Sequence, residues 1–222
     1  EFVQTIFDKG EQLLSLILSL LDLSKLESGT MSVKLRKTPL APVVQEAVST
    51  LEPVAQKKSV ELEVVIPPDL PPLHADPERL RQVFQNLIEN AIKFAPAGTA
   101  ITVAARLLPM LGANDGDDEA GFALLAPTRA MVEVRVIDRG IGISDREKAR
   151  VFDAFYQVDS SSTREYGGTG LGLSIVKRLV DAHEGKVTIE DNKPEGAIFV
   201  VTLPVDRAAA ASTSVIPPRL DP

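Results

Sequence analysis

Asn86, Asn90 and Lys93 recur at spacings of four and three. On a helix that spacing brings two carboxamides and an ammonium onto one face. A carboxamide oxygen is a hard ligand for Mg²⁺ or its waters, and a lysine meets phosphate as a point charge. The set suits a magnesium-bound polyphosphate. It also suits plain solubility, the ordinary duty of a polar helix face, and both readings stand at this point. Val83, Phe84, Leu87, Ile88, Ala91 and Ile92 supply the apolar face that would turn toward a core.

Two further segments carry chemistry. Asp138-Arg139-Gly140-Ile141-Gly142-Ile143 follows an apolar strand pattern over residues 132–137. A carboxylate at a strand end can accept from an exocyclic amine, while glycines let backbone approach a flat ring. An Asx turn leaving a strand explains the same residues. The segment is not a dinucleotide fingerprint, because Asp145 stands where the third glycine belongs. Gly167-Gly168-Thr169-Gly170-Leu171-Gly172 then leads into a helical pattern. Bare backbone N–H groups at a helix start form an anion site, and a flexible hinge is the alternative. No Gly-Lys-Ser/Thr is present, so this is not a P-loop. Between the two segments, Phe152 and Phe155 precede a serine-rich stretch with Arg164. It reads as an anchored lid or as a plain surface loop.

These residues need elements to hold them. Asp76 and Pro77 open the helix of the first segment as N-cap and N1, and residues 95–98 stop it. Strands are expected over 33–40, 60–66, 100–107 and 131–137, and a hairpin over 186–191 and 197–203, closed around Pro194 and Gly196. Helices are expected over 42–58, with Pro53 as a possible kink, over 144–151 with Ser144 as cap, and over 171–182. Residues 67–72 read as a proline-rich connector, and the acidic residues 112–119 are expected to form an exposed loop. Residues 1–28 read as one long helix, fit for a helical hairpin or bundle or as a core helix of the same domain. Ile6, Leu13 and Leu20 stand seven apart, a stripe that demands a helical partner, and Ser28-Gly29 ends it. Residues 208–222 read as linker or tail.

Composition bounds the class. The chain has 222 residues with 44% hydrophobic content, enough for a real core. Absence of cysteine excludes disulfides and thiolate metal sites and leaves a cytoplasmic setting unopposed. A net charge of −7 argues against a nucleic-acid surface. No apolar run reaches the roughly 18 residues of a membrane span. The chain opens at Glu1-Phe2 inside a helical pattern, so it reads as part of a longer protein, with membrane contact only through regions outside it.

In order and spacing, the segments around Asn86–Lys93, Asp138–Gly142, Phe152–Phe155 and residues 167–172 resemble the N, G1, F and G2 boxes of the sensor histidine kinase ATP-binding domain. The likeness covers about residues 70–205. The first helix is similar to the second helix of the dimerisation and phosphoacceptor hairpin. The resemblance implies an α+β fold, a two-layer α/β sandwich preceded by a bundle-forming helix. Its domains would be 1–29, 30–207 and a tail at 208–222. It implies ATP and Mg²⁺ as cofactors. Asn90 would coordinate Mg²⁺, with Asn86 and Lys93 near the phosphates and Phe94 beside the nucleotide. Asp138 would accept from the adenine amine, with Gly140, Gly142 and Ile143 around it. Gly168, Thr169, Gly170, Leu171 and Gly172 would wrap the phosphates, and Arg164 would reach them from the lid. Related folds often carry threonine or serine after the glycine at position 196; Ala197 has no hydroxyl and receives no role.

The resemblance also implies partners: a second copy of the chain, through the first helix, and the receiver domain of a response regulator. Phosphoryl transfer needs an acceptor histidine on an exposed helix. His74 lies in a connector. His183 precedes Gly185 near a helix end, where its partial positive charge would interact favourably with the dipole. Neither fits, so the chain is expected to bind Mg-ATP without phosphorylating itself. A conformational clamp of the gyrase, chaperone or mismatch-repair type is the competing class. Those proteins place a water-activating glutamate where this chain has Asn86, and a carboxamide cannot take that proton. A non-catalytic regulatory ATP-binding module is the third reading.

Overall fold

The computed structural model describes residues 2–27, 32–108, 130–157 and 169–206. Helix α1 (Phe2–Glu27) leads into β1 (Arg36–Thr38), α2 (Leu40–Lys57), β2 (Glu61–Val65), β3 (Leu73–Ala75) and α3 (Pro77–Phe94). Then come β4 (Ala100–Leu108), β5 (Met131–Ile137), the short α4 (Asp145–Lys148), α5 (Gly172–Ala182), β6 (Lys186–Asp191) and β7 (Ala197–Pro204).

Five strands form one mixed sheet in the order β2-β4-β5-β7-β6. Only β2 and β4 run parallel. Strand alternation sends Ile101, Val103, Val132, Val134, Val136, Phe199, Val201 and Leu203 into the core. The intervening positions carry charge: Arg106 pairs with Glu133, and Arg135 bridges Glu133 and Glu190. Helices α2, α3 and α5 contribute the rest of the core, so one face of the sheet is covered. This is the expected two-layer sandwich.

Strand β1 pairs with β3 in a separate antiparallel ribbon, and Leu73 bridges Val205 just beyond β7. The ribbon differs from expectation. Residues 33–40 yield only three strand residues, because Leu40 already belongs to α2 and is buried there with Val43 and Val44. Pro39 is the N-cap and Pro42 falls in the first turn, where its missing N–H costs nothing. Helix α2 continues through Pro53. Strand β3 is too short to show a period, so the sequence reading left it in a connector. The short helix after Ser144 covers Asp145–Lys148 rather than running to 151, and Ser144 N–H and Oγ both donate to Glu147 Oε2.

Helix α1 packs against α5 and leaves much of its apolar stripe exposed. Ile6, Leu13 and Leu20 are exposed, as are Phe2, Val3, Phe7, Leu14, Ile17, Leu18 and Leu21. No helix among the described residues is long and apolar enough to cross a membrane. The acidic loop at 112–119, the cap at Ser28-Gly29 and the tail at 208–222 lie outside the described residues.

Candidate nucleotide-binding site

Helix α3 fixes the first group of side chains. Asp76 Oδ1 accepts from Glu78 and Arg79 N–H, as an N-cap should. Leu80, Val83, Phe84, Leu87, Ile88, Ala91 and Ile92 are buried, which sets the helix's rotation and turns Asn90, Lys93 and Phe94 toward a cavity. Burial lowers the Lys93 ammonium below the usual lysine range, with Glu89 opposing the shift. Its Nζ stands 4.9 Å from the Phe94 ring centroid. At the helix end, Lys58 Nζ donates to the carbonyls of Ile92 at 2.8 Å and Lys93 at 2.6 Å. A cation thus caps the terminal carbonyls beside the cavity.

Asp138 directly follows β5 and is 5% exposed. Its Oδ1 accepts from Gly140 N–H at 2.7 Å and Ala197 N–H at 3.2 Å. Both bonds go to one oxygen, which leaves Oδ2 able to accept from a ligand. Burial pushes this carboxyl above the ordinary carboxylate range, and the two N–H groups oppose the shift. Backbone crowding explains the glycines. A Cβ on Gly140 would sit 2.9 Å from Phe94 O, and Gly142 has φ +68° and lies against Gly196 O. The Gly140 contact locks the end of α3 to the turn after β5.

The third group opens α5. Leu171 is the N-cap and the helix starts at Gly172, one residue later than expected. Leu171 is fully buried, and its N–H donates to Thr169 Oγ1. Gly170 has φ +70° and packs on the Phe155 backbone, whose N–H donates to Gly170 O. The start of the lid is therefore tied to the start of α5. A Cβ on Gly172 would meet Asn86 Oδ1 at 3.4 Å, so that carboxamide stands beside the first turn of α5.

One mostly apolar cavity receives all three groups. Asn90, Lys93, Phe94, Asp138, Gly142, Ile143, Gly170 and Gly172 line it. Asn86 adjoins it through Gly172, while Gly140, Thr169 and Leu171 support its walls. Arg164 and Gly168 lie outside the described residues. Tyr156, Phe199 and Ala197 also line the cavity. The sequence reading passed over Ala197 because it has no hydroxyl, yet its main-chain N–H holds Asp138. Asn192 and Lys58, equally unanticipated, act on main-chain carbonyls that no side-chain pattern records.

An apolar cleft with a buried carboxylate, a half-buried lysine and two carboxamides suits a flat base carrying a polyanion. Among the described residues, no group of three His, Cys, Asp or Glu side chains could cage a metal. A magnesium ion would therefore come with phosphate oxygens and water, supplemented by a carboxamide such as that of Asn90.

Residues 75–207 match the family of histidine kinase-, DNA gyrase B- and HSP90-like ATPases, and the chain belongs to that family. The circadian input-output histidine kinase CikA of Synechococcus elongatus is 36% identical over 207 residues, which cover 92% of this chain and 25% of CikA. The autoinducer 2 sensor kinase/phosphatase LuxQ of Vibrio vulnificus is 35% identical over 207 residues, 92% of this chain and 22% of LuxQ. Full-length ShkA in complex with AMPPNP has a TM-score of 0.73 at 30% identity, covering 94% of this chain and 39% of that one. The chain thus spans about a quarter of the length of these curated relatives.

Proposed function

We propose that this chain is the ATP-binding catalytic part of a sensor histidine kinase. It would supply the γ-phosphoryl group of ATP to a histidine on an acceptor helix, for relay to an aspartate of a response regulator. The observation that carries this reading is the convergence of Asn90 and Lys93 of α3, Asp138 after β5 and the glycines at the start of α5 on one cavity. In this role Asp138 accepts from the adenine amine, with Gly140, Gly142 and Ile143 shaping the base site. Phe94 flanks the nucleotide. Asn86 and Lys93 meet the phosphates, and Asn90 helps to hold Mg²⁺, which neutralises phosphate charge. Gly168, Thr169, Gly170, Leu171 and Gly172 border the phosphates, with Arg164 reaching in from the lid. Little covalent chemistry falls to these residues; they position the donor and stabilise its charge.

The two histidines leave the acceptor to another helix. His74 lies in β3 beside Asp206, and His183 is 1% exposed. The exposed apolar side chains of α1 support pairing with a second copy of the chain. The clamp-ATPase reading is disfavoured by Asn86, whose carboxamide cannot serve as general base.

Incubation with γ-labelled ATP tests the proposal. The chain alone should acquire no acid-labile label, and label should pass to an added helical hairpin that carries an acceptor histidine. Rapid release of free phosphate with no transfer would instead favour the clamp, and failure to bind ATP would favour a degenerate module.

A further inference from the structure

We propose that His183 is a positioning residue for the nucleotide site, a hydrogen-bonded pin that sets how α3 and α5 meet the nucleotide. The inference rests on the ATP-site reading above. His183 is the C-cap of α5 and is almost completely buried. Its Nδ1 lies 2.7 Å from Leu179 O, and its Nε2 lies 3.0 Å from Asp76 N. A carbonyl only accepts and a backbone N–H only donates. Nδ1 therefore carries the proton and Nε2 is bare, which makes the ring neutral. The sequence places this histidine at a helix end, as the structure does. A charged ring would set a second N–H against that of Asp76.

The position of the pin gives it leverage. Helix α5 starts at the cavity with Gly172 and ends at His183, about 16 Å away at 1.5 Å per residue. Helix α3 runs the other way, from Asp76 to the cavity residues Asn90 and Lys93. The two helices are thus fastened at one end and hold the ligand at the other. Their buried faces are otherwise apolar but for Ser174, and a hydrogen bond adds a directional constraint that apolar burial lacks.

The N-cap of α3 explains why a residue of another helix is needed. In a capping box, the N-cap N–H is taken by a Glu or Gln side chain at N3. This chain builds that arrangement at Ser144 and Glu147. At α3 the N3 residue is Arg79, which has no acceptor. The Asp76 N–H therefore has no partner on its own helix, and His183 supplies one from α5. The Asp76 carboxylate meanwhile accepts from Lys34 N–H at 2.9 Å. One residue gathers the connector after α1, the start of α3 and the end of α5.

Mg-ATP affinity, measured by calorimetry on the folded chain, tests the pin with two substitutions that separate the two ring nitrogens. In His183→Gln the amide reaches the position of Nε2 and can accept from Asp76. In His183→Asn it reaches only Nδ1 and keeps the local bond to Leu179. A pin predicts near-native affinity for His183→Gln and a loss of about tenfold for His183→Asn, the scale of one hydrogen bond. A merely local cap predicts the reverse order. Arg79→Gln supplies a competing acceptor at N3, so it should weaken Mg-ATP binding without loss of thermal stability. Native affinity in His183→Asn or in Arg79→Gln would overturn the proposal. A wild-type chain that binds no Mg-ATP would instead overturn the site reading on which it rests.

Discussion

Asn192 Nδ2 donates to the main-chain carbonyl of Asp138 at 2.7 Å. The hairpin of β6 and β7 therefore holds the end of β5 from outside the cavity. Asn192 N–H also donates to Gly196 O, and Asp138 N–H donates to Ala197 O. Replacing Asn192 by alanine should cost about 1 kcal/mol of stability, the net worth of one such bond. It should also weaken ATP binding a few-fold as Asp138 relaxes. Urea unfolding and calorimetry measure the two effects, and unchanged affinity would mean that the hairpin does not position the carboxylate.

Asp138→Asn separates recognition from folding. The carboxamide oxygen can still accept from Gly140 and Ala197, but its NH₂ would face the adenine amine donor to donor. ATP affinity should fall about 10- to 100-fold, the range for a hydrogen bond to a charged group. Stability should not fall, because the desolvated charge is gone. The sign of the pH effect follows from the raised folded-state value. Between the ordinary value of 3.8 and that raised value, the native state holds the proton more tightly than the unfolded chain. Wild-type stability therefore declines as pH rises through the window, and the variant should lack that slope. ATP affinity of the wild type should fall on acidification before an ordinary aspartate would titrate.

Lys93→Met should weaken ATP binding about 10- to 100-fold through loss of a charge-assisted contact, while leaving adenosine affinity unchanged. The lowered ammonium predicts that wild-type ATP affinity begins to fall at a lower alkaline pH than an ordinary lysine would dictate. Asn90→Ala and removal of Mg²⁺ by chelation should each reduce affinity, and the two losses should not add if Asn90 acts through the metal. Fluorescent nucleotide titrations with and without chelator decide this, and full additivity would separate Asn90 from magnesium.

Gly196→Ala should be the most damaging of these substitutions to the fold. Gly196 has φ +123°, and a Cβ there would overlap the Asp138 carbonyl oxygen. Overpacking and backbone strain together should cost about 3 kcal/mol or more. Thermal melting checks this, and an unshifted midpoint would contradict the packing described.

Much of this arrangement was legible in the sequence because side-chain type carried it. The spacing of Asn86, Asn90 and Lys93, the Asp76-Pro77 helix start and the strand leading into Asp138 all reappear in the structure. What escaped was carried by the backbone. Ala197 acts through its N–H, Lys58 and Asn192 act on carbonyls, and Gly196 matters for the side chain it lacks. Strand β3 escaped because three residues show no period. His183 was placed correctly, but the partner of its Nε2 is Asp76, more than a hundred residues away in sequence. No local pattern records such a pairing.

The exposed apolar surface of α1 links folding to mass action. An isolated helix gains little from propensity alone and draws most of its stability from a buried face. Phe2, Ile6, Leu13 and Leu20 stay exposed although α1 packs against α5. Whatever covers them binds the helical form and not the coil, so it stabilises the helix in proportion to the logarithm of its concentration. With a second copy as the cover proposed above, the order of this segment becomes a property of the solution as much as of the chain. Helix content should rise with protein concentration while the sandwich behind it, closed on its own core, stays indifferent to dilution.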